Sequence, residues 1–321
     1  MKPIPILFLR VIDFFRQHRR LVFVISSLTA LSACDRATKA PEIETDNSTS
    51  SPSGEIDKLK AEAESGSSKA QFTLSRAYFS GNGVPKDTSA GLRWMRKAAE
   101  QGHAAAQAAL GGLYYLGVSD VTKNTEEGVK WFRKAAEQGN ATSQALLGNA
   151  YLAGVGTPKD PAEAVKWFRK AAEQGDANAQ AWLGRAYLTG VGIPKDPAEG
   201  VKWARKPAEQ GNADAQAVLG QAYFIGEGVA KDATEAVKWL SKSAEQGNAG
   251  AQFMLGHAYV EGAGAVKDLV RGYMYINLAA VTHPHFAEFR DRCEKDMTSE
   301  QIAEAQRLSR EWKPVAAEGA K

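Results

Sequence analysis

One glutamine recurs along this chain, at Gln71, Gln107, Gln144, Gln180, Gln216 and Gln252, with spacings of 36, 37, 36, 36 and 36 residues. Trp94, Trp131, Trp167, Trp203 and Trp239 follow the same spacings, and Tyr275 stands where a sixth would fall. Two markers that hold one register from Gln71 to Tyr275 exclude a single-cored globular body for that stretch. A fixed period of this length marks stacked supersecondary units, none of which buries its apolar face alone. Whatever this chain does, it does from the surface of a repeat array.

Each unit reads as helix, loop, helix. From Ala177 to Thr189, the apolar residues Ala179, Leu183, Ala186 and Tyr187 recur at i, i+4, i+7 and i+8, one face of a helix. Ala164, Val165, Phe168, Ala171 and Ala172 repeat the pattern on a second helix, which opens with Asp160-Pro161-Ala162-Glu163. There Asp is a helix N-cap, Pro occupies the first turn where no N–H is needed, and Glu three residues after the cap is placed to close a capping box. Asp196-Pro197-Ala198-Glu199 does the same one repeat later. Second helices end in Glu-Gln-Gly, as at Glu173-Gln174-Gly175, where Gly takes the left-handed C′ conformation and Asp176 or Asn140 caps the helix that follows. One tryptophan per repeat at a fixed helical position is expected to be interhelical core. Arg133–Glu137, Arg169–Glu173 and Arg205–Glu209 are spaced as i,i+4 pairs on a solvated face.

The run from Tyr151 through Gly154, Gly156 and Asp160, continued by Ala164, Trp167, Ala171, Ala172 and Gly175, resembles the Sel-one-like repeat, a relative of the tetratricopeptide repeat with a longer, Gly-containing loop. The resemblance covers residues 67–283. It implies an all-α, right-handed α/α superhelical solenoid of six helix–loop–helix repeats with terminal capping helices. Residues 55–66 are expected to form an N-terminal capping helix, and 284–321 a C-terminal capping region whose helix, Thr298 to Trp312, opens with Thr298-Ser299-Glu300-Gln301. The second repeat departs from the pattern, with one extra loop residue and Ser119-Asp120 near the place of the second Gly. Pro207 replaces the first Ala of the helix-ending motif, and a small kink is expected there.

The first 33 residues read as an export signal. A basic stretch ends in His18-Arg19-Arg20, an apolar run follows from Leu21 to Leu31, and Ser32 and Ala33 are small. The apolar run is too short for a membrane-spanning helix, which needs about 20 residues. Leu31-Ser32-Ala33-Cys34 resembles the lipobox of bacterial lipoproteins, which implies a diacylated Cys34 as the mature N-terminus. Asp35 resembles the inner-membrane retention signal of enteric lipoproteins. Residues 34–54 are rich in Ser, Thr, Pro and acids, as a flexible linker would be. The chain has 40 basic and 37 acidic residues, of which five and one fall before Cys34. The remainder therefore carries 35 against 36, a net charge of −1, with no excess to attract nucleic acid. With Cys34 acylated, Cys293 has no disulfide partner in the chain.

No catalytic or cofactor-binding motif stands out. Ser-x-x-Lys, Gly-x-Ser-x-Gly, His-Glu-x-x-His and the phosphate-cradling Gly-x-x-x-x-Gly-Lys are all missing. Some secreted relatives of the repeat have been described as β-lactamases, but those carry a disulfide in each repeat, and this chain has none to match. A β-lactamase-like hydrolase is therefore the weakest reading. No catalytic residue, metal ligand or cofactor is assigned. His283-Pro284-His285 pairs two imidazoles without a further ligand at a familiar spacing, and the loop carboxylates are too few for calcium.

Function is expected on the first helices, which line the concave side in tetratricopeptide-like arrays. The position five after each Gln holds Arg76, Gly112, Asn149, Arg185, Gln221 and His257, varied in size and charge while the core positions repeat. The position eight after holds Phe79, Tyr115, Leu152, Leu188, Phe224 and Val260, and Phe72 and Phe253 sit one after the Gln at the two ends. Arg76, Phe79, Tyr115, Asn149, Arg185, Gln221, Phe224 and His257 are thus the expected partner-binding residues, apolar anchors beside a polar row. The expected function is a periplasmic scaffold, anchored to the membrane by lipid, that holds protein partners in a groove. Binding of cell-wall or exported polysaccharide is the alternative, and exposure of Tyr115, Asn149 and Phe224 separates the two.

Overall fold

The computed structural model describes residues 52–117 and 121–315. The expected signal segment, Cys34, Asp35, the linker before Pro52, and Ser119-Asp120 lie outside the described residues. Among the described residues the regular structure is helical throughout, with fifteen α-helices and two short 3₁₀ turns. The described residues divide into two compact units, one ending at Ala171 and the other beginning at Ala172. In the first, α1 (Pro52–Glu64) precedes the first helices α2 (Ser68–Ser80), α4 (Ala104–Leu116) and α6 (Ala141–Ala153). Its second helices are α3 (Thr88–Glu100), α5 (Thr125–Glu137) and α7 (Pro161–Glu173). The second unit continues with the pairs α8 (Ala177–Thr189) and α9 (Pro197–Glu209), α10 (Ala213–Ile225) and α11 (Ala233–Glu245), and α12 (Ala249–Glu261) and α13 (Leu269–Thr282). It ends with α14 (Ala287–Cys293) and α15 (Ser299–Glu311). Helix α1 begins at Pro52, so the linker expected to run to Gly54 stops short of it.

Local chemistry sets the helix ends. The Asp160 carboxylate accepts from the backbone N–H groups of Ala162 and Glu163, both at 3.0 Å, and Asp196 accepts from Glu199 at 3.1 Å. The N–H of each of these Asp residues returns to a tyrosine carbonyl, Tyr151 at 2.8 Å and Tyr187 at 2.9 Å, which closes the loop between the two helices. Glu163 and Glu199, expected to complete capping boxes, turn instead to Lys166 at 2.8 Å and Lys202 at 3.0 Å. A reciprocal box forms at α15 between Thr298 and Gln301. Helix α9 runs unbroken through Pro207, which only removes the i+4 donor of the Trp203 carbonyl near the helix end.

The recurring glutamine is explained by its bonds. Gln107 Nε2 donates to the Ala99 carbonyl at 3.0 Å, and its Oε1 accepts from Gln138 Nε2 at 2.7 Å, so one buried amide joins α3, α4 and the end of α5. Gln71 makes the same pair of bonds to Ala63 (3.0 Å) and Gln101 (2.7 Å), which gives α1 the role of a preceding second helix. In the second unit Gln216 bonds Ala208 (3.2 Å) and Gln246 (2.8 Å). The amide is tolerated in the core because both its ends are satisfied.

Glycines set the close approaches. At Gly156, with φ +70°, a Cβ would collide with the Thr125 carbonyl oxygen, so the loop of one repeat lies against the start of the second helix before it. Within a repeat, a Cβ on Gly128 would stand 2.9 Å from the Gly111 carbonyl oxygen, and one on Gly200 2.7 Å from that of Gly184. Paired glycines thus let first and second helices approach backbone to backbone. Trp131 and Trp167 are buried as expected, while Trp94 and Trp239 are half-buried. Lysine ammoniums cover the ring faces, Lys134 and Lys170 at 4.1 Å, Lys97 at 4.4 Å and Lys242 at 4.7 Å. The C-terminal region closes the second unit: Phe253 stacks on Phe286 at 4.1 Å, and the Val315 N–H reaches the Glu245 carbonyl at 2.8 Å.

Candidate functional site

The polar row expected five residues after each Gln is present on the first helices, but its members differ in what they touch. In the first unit, the Arg76 guanidinium lies over Phe72 of its own helix, 5.9 Å from the ring centre, and Phe72 packs against His103 at 4.9 Å. Arg76 Nε and Nη2 are buried and have no hydrogen-bond acceptor among the described residues. Burial pushes the Arg76 pKa down. Gly112 is buried and Asn149 half-buried.

In the second unit Arg185 lies over Trp182, 5.8 Å from the ring centre, with its Nη2 3.8 Å from Asp214 Oδ1 of the next first helix. The Arg185 side chain is only 19% exposed. Asp214 also accepts from Asn248 Nδ2 at 2.8 Å, and Asn178 accepts from Asn212 Nδ2 at 2.8 Å, so short polar links join α8, α10 and α12 near their N-termini. Gln221 is half-buried. His257 is 8% exposed, its Nε2 buried without a partner among the described residues, and desolvation pushes its pKa down against the opposing charge of Glu261.

The expected apolar anchors are less open than their spacing implied. Phe79 and Tyr115 are half-buried and pack against the second helix of their own repeat, and Phe224 is buried. A Cβ on Gly91 would meet the Phe79 ring at 3.1 Å, and one on Gly128 would meet Tyr115 Cβ at 2.9 Å. Tyr115 also packs on Phe132 at 5.7 Å between ring centres, and Phe224 is 7% exposed. Leu188 and Val260 fill the same place against Gly200 and Gly272. The large residues of this row pack against glycines of the facing helix, so the two helices fit without a gap. Phe253, at the far end, is fully buried.

The outer face also differs in detail. Arg133, expected to pair with Glu137, donates to the Tyr151 hydroxyl at 2.5 Å, and Arg96 to that of Tyr114 at 2.7 Å, so these arginines tie a second helix to the following first helix. Second helices also carry solvated i,i+3 glutamate–lysine pairs such as Glu199–Lys202, whose lysine is 73% exposed.

Helix pairs that share a buried Gln amide and a left-handed Gly at the end of each first helix define one structural unit. The Sel1 repeat model matches six such units, at residues 68–103, 104–140, 141–176, 177–212, 213–248 and 249–280. The chain belongs to the Sel1 repeat family. A Sel1 repeat protein from Oxalobacter formigenes is similar at 35% identity, over 71% of this chain and 94% of that one, with a TM-score of 0.59. The uropathogenic Escherichia coli protective antigen c5321, which displays the same repeat fold, is 24% identical over 88% of this chain and 91% of that one, with a TM-score of 0.45. None of the curated proteins matches the chain.

Sel1 repeat proteins generally mediate protein–protein interaction as scaffolds, and the family is generally non-catalytic. In this one, no group of three or more His, Cys, Asp or Glu that could hold a metal is found among the described residues. The His283 and His285 rings meet edge to face at 5.5 Å, and burial pushes the His283 pKa down. The Cys293 thiol is buried and pushed up to about 11, which makes it a poor nucleophile. No described helix is long and apolar enough to cross a membrane. Sequence reasoning missed Asp214 and Trp182, two before and two after the Gln of their repeats. Asp214 is the one acid at its place and Trp182 the one aromatic at its own, and those departures were the available signal.

Proposed function

We propose that this Sel1 repeat protein is an envelope scaffold, tethered by a lipid on Cys34, that holds protein partners on the first-helix faces of its repeats. The observation that carries the reading is the contrast between positions. The Gln and its bonds recur from repeat to repeat, while the residue five positions on changes from Arg76 to Asn149, Arg185, Gln221 and His257. An array that keeps its joints and varies one row presents a specific surface on a generic frame. The polysaccharide alternative has less support, because of the aromatics it would use Tyr115 is half-buried against Phe132 and Phe224 is buried.

Crosslinking of the full chain in membranes, followed by affinity purification, tests the reading. Arg185→Gln should weaken capture of the crosslinked partner, whereas Lys202→Gln, on the outer face, should leave it unchanged. Both remove one positive charge, so net charge is matched. Loss of capture with Lys202→Gln but not Arg185→Gln would move the binding surface to the second helices.

A further inference from the structure

Two arginines occupy the same register in different repeats, and only one of them has its acid. Arg185 follows Gln180 by five residues, lies on an aromatic of its own helix, and meets Asp214, which stands two residues before the next Gln. Arg76 follows Gln71 by five and also lies on an aromatic of its own helix, Phe72. The place two before its next Gln is Ala105. Its Nε and Nη2, the edge that grips a carboxylate with two parallel bonds, are buried and without an acceptor among the described residues. A buried guanidinium edge without an anion is unfavourable, since its lost hydration is not replaced.

The geometry points to Arg76 as the receptor for an aspartate or glutamate side chain on an extended segment of a protein partner, taking the place that Asp214 holds beside Arg185. The inference rests on the scaffold reading and names the chemistry of the partner. The places on α4 that correspond to Asp214, Val218 and Gln221 of α10 are Ala105, Ala109 and Gly112, none larger than a methyl group. The half-buried Phe72 ring, backed by His103 at 4.9 Å, adds an apolar contact beside the charge, which suits an acidic residue flanked by an apolar one. Burial lowers the Arg76 pKa with no carboxylate acting against it, as expected for a site whose anion comes from another molecule.

The full chain, fluorescently labelled, is applied to an array of peptide pairs identical but for a central Glu or Gln. Peptides that bind should favour Glu by about tenfold, the range of a charge-assisted hydrogen bond to a carboxylate. Arg76→Gln should abolish that preference. Ala105→Asp should abolish it as well, by supplying the carboxylate from within the chain. An acid in the first turn of a helix is favourable, so this variant keeps the fold even if Arg76→Gln does not. Lys202→Gln should retain the preference. Equal binding of Glu and Gln peptides, or a preference that survives Ala105→Asp, overturns the assignment. An Arg76-dependent signal on uronic-acid oligosaccharides in place of peptides overturns it too. If the preference is absent while crosslinked partner capture persists, the carboxylate site fails and the scaffold reading stands. Loss of both removes the scaffold reading.

Discussion

Replacing Gln107 by Glu keeps the shape of the side chain and changes one group, the amide nitrogen that donates to the Ala99 carbonyl at 3.0 Å. At neutral pH the introduced carboxylate would set an acceptor against an acceptor in a buried place. Its other oxygen would still receive the Gln138 amide, now at 2.7 Å. Loss of one hydrogen bond and burial of a poorly solvated charge together cost about 3 kcal/mol. Gln107→Leu removes both bonds without burying a charge. The Ala99 carbonyl keeps the Gly102 N–H at 3.0 Å and Gln138 is open to water, so this change should cost only about 1–2 kcal/mol. The two variants are separated by pH. A penalty of about 3 kcal/mol corresponds to a carboxyl pKa raised by roughly two units above its usual value of about 4.3. The charged form is disfavoured in the fold, so the penalty is full above the raised pKa and shrinks as pH falls toward the unfolded value, where the protonated group donates to Ala99 again. Urea unfolding of wild type and both variants at pH 7 and pH 5 reads this directly. Equal, pH-independent losses for Glu and Leu would show that the amide's donor does not hold the repeats together.

Three further outcomes are expected. Gly156→Ala, which drives a Cβ into the Thr125 carbonyl oxygen, should cost at least about 2 kcal/mol more than Gly139→Ala. Gly139 has a similar φ of +89° but open space around it, so urea midpoints that fall equally would leave only backbone strain and remove the close approach as an explanation. Burial lowers the pKa of His103, His257 and His283, so each binds its proton more weakly in the folded than in the unfolded chain. Their contribution is complete above the unfolded value of about 6.5 and is lost as pH drops through the lower folded values; a thermal midpoint that rises on acidification from pH 7 to pH 5.5 would contradict this. Cys34→Ala should abolish incorporation of radiolabelled fatty acid and block signal-peptide processing, and unchanged labelling would remove the lipid anchor from the scaffold proposal.

The array, its period and the limits of helices such as Ala177–Thr189 were legible in the sequence because the forces that set them are local. Asp160 caps the helix that starts beside it, Gly175 turns the chain that ends there, and the 3.6-residue spacing of Leu183, Ala186 and Tyr187 marks one buried face. The side-chain partners were decided only by the tertiary structure. A first helix is packed both against the second helix of its own repeat and against neighbouring repeats, so it has more than one buried face, and a single apolar stripe does not say which face stays open. Phe79 and Tyr115 therefore read as surface anchors in sequence and turned out to pack against Gly91 and Gly128, while Phe224 is buried. Long charged side chains reach several candidates: Arg133 had Glu137 one turn away on its own helix but found the Tyr151 hydroxyl on the next. The same reach distinguishes Arg185, which Asp214 meets from the adjacent repeat, from Arg76, where the sequence places Ala105 and the guanidinium edge is buried with no acceptor among the described residues.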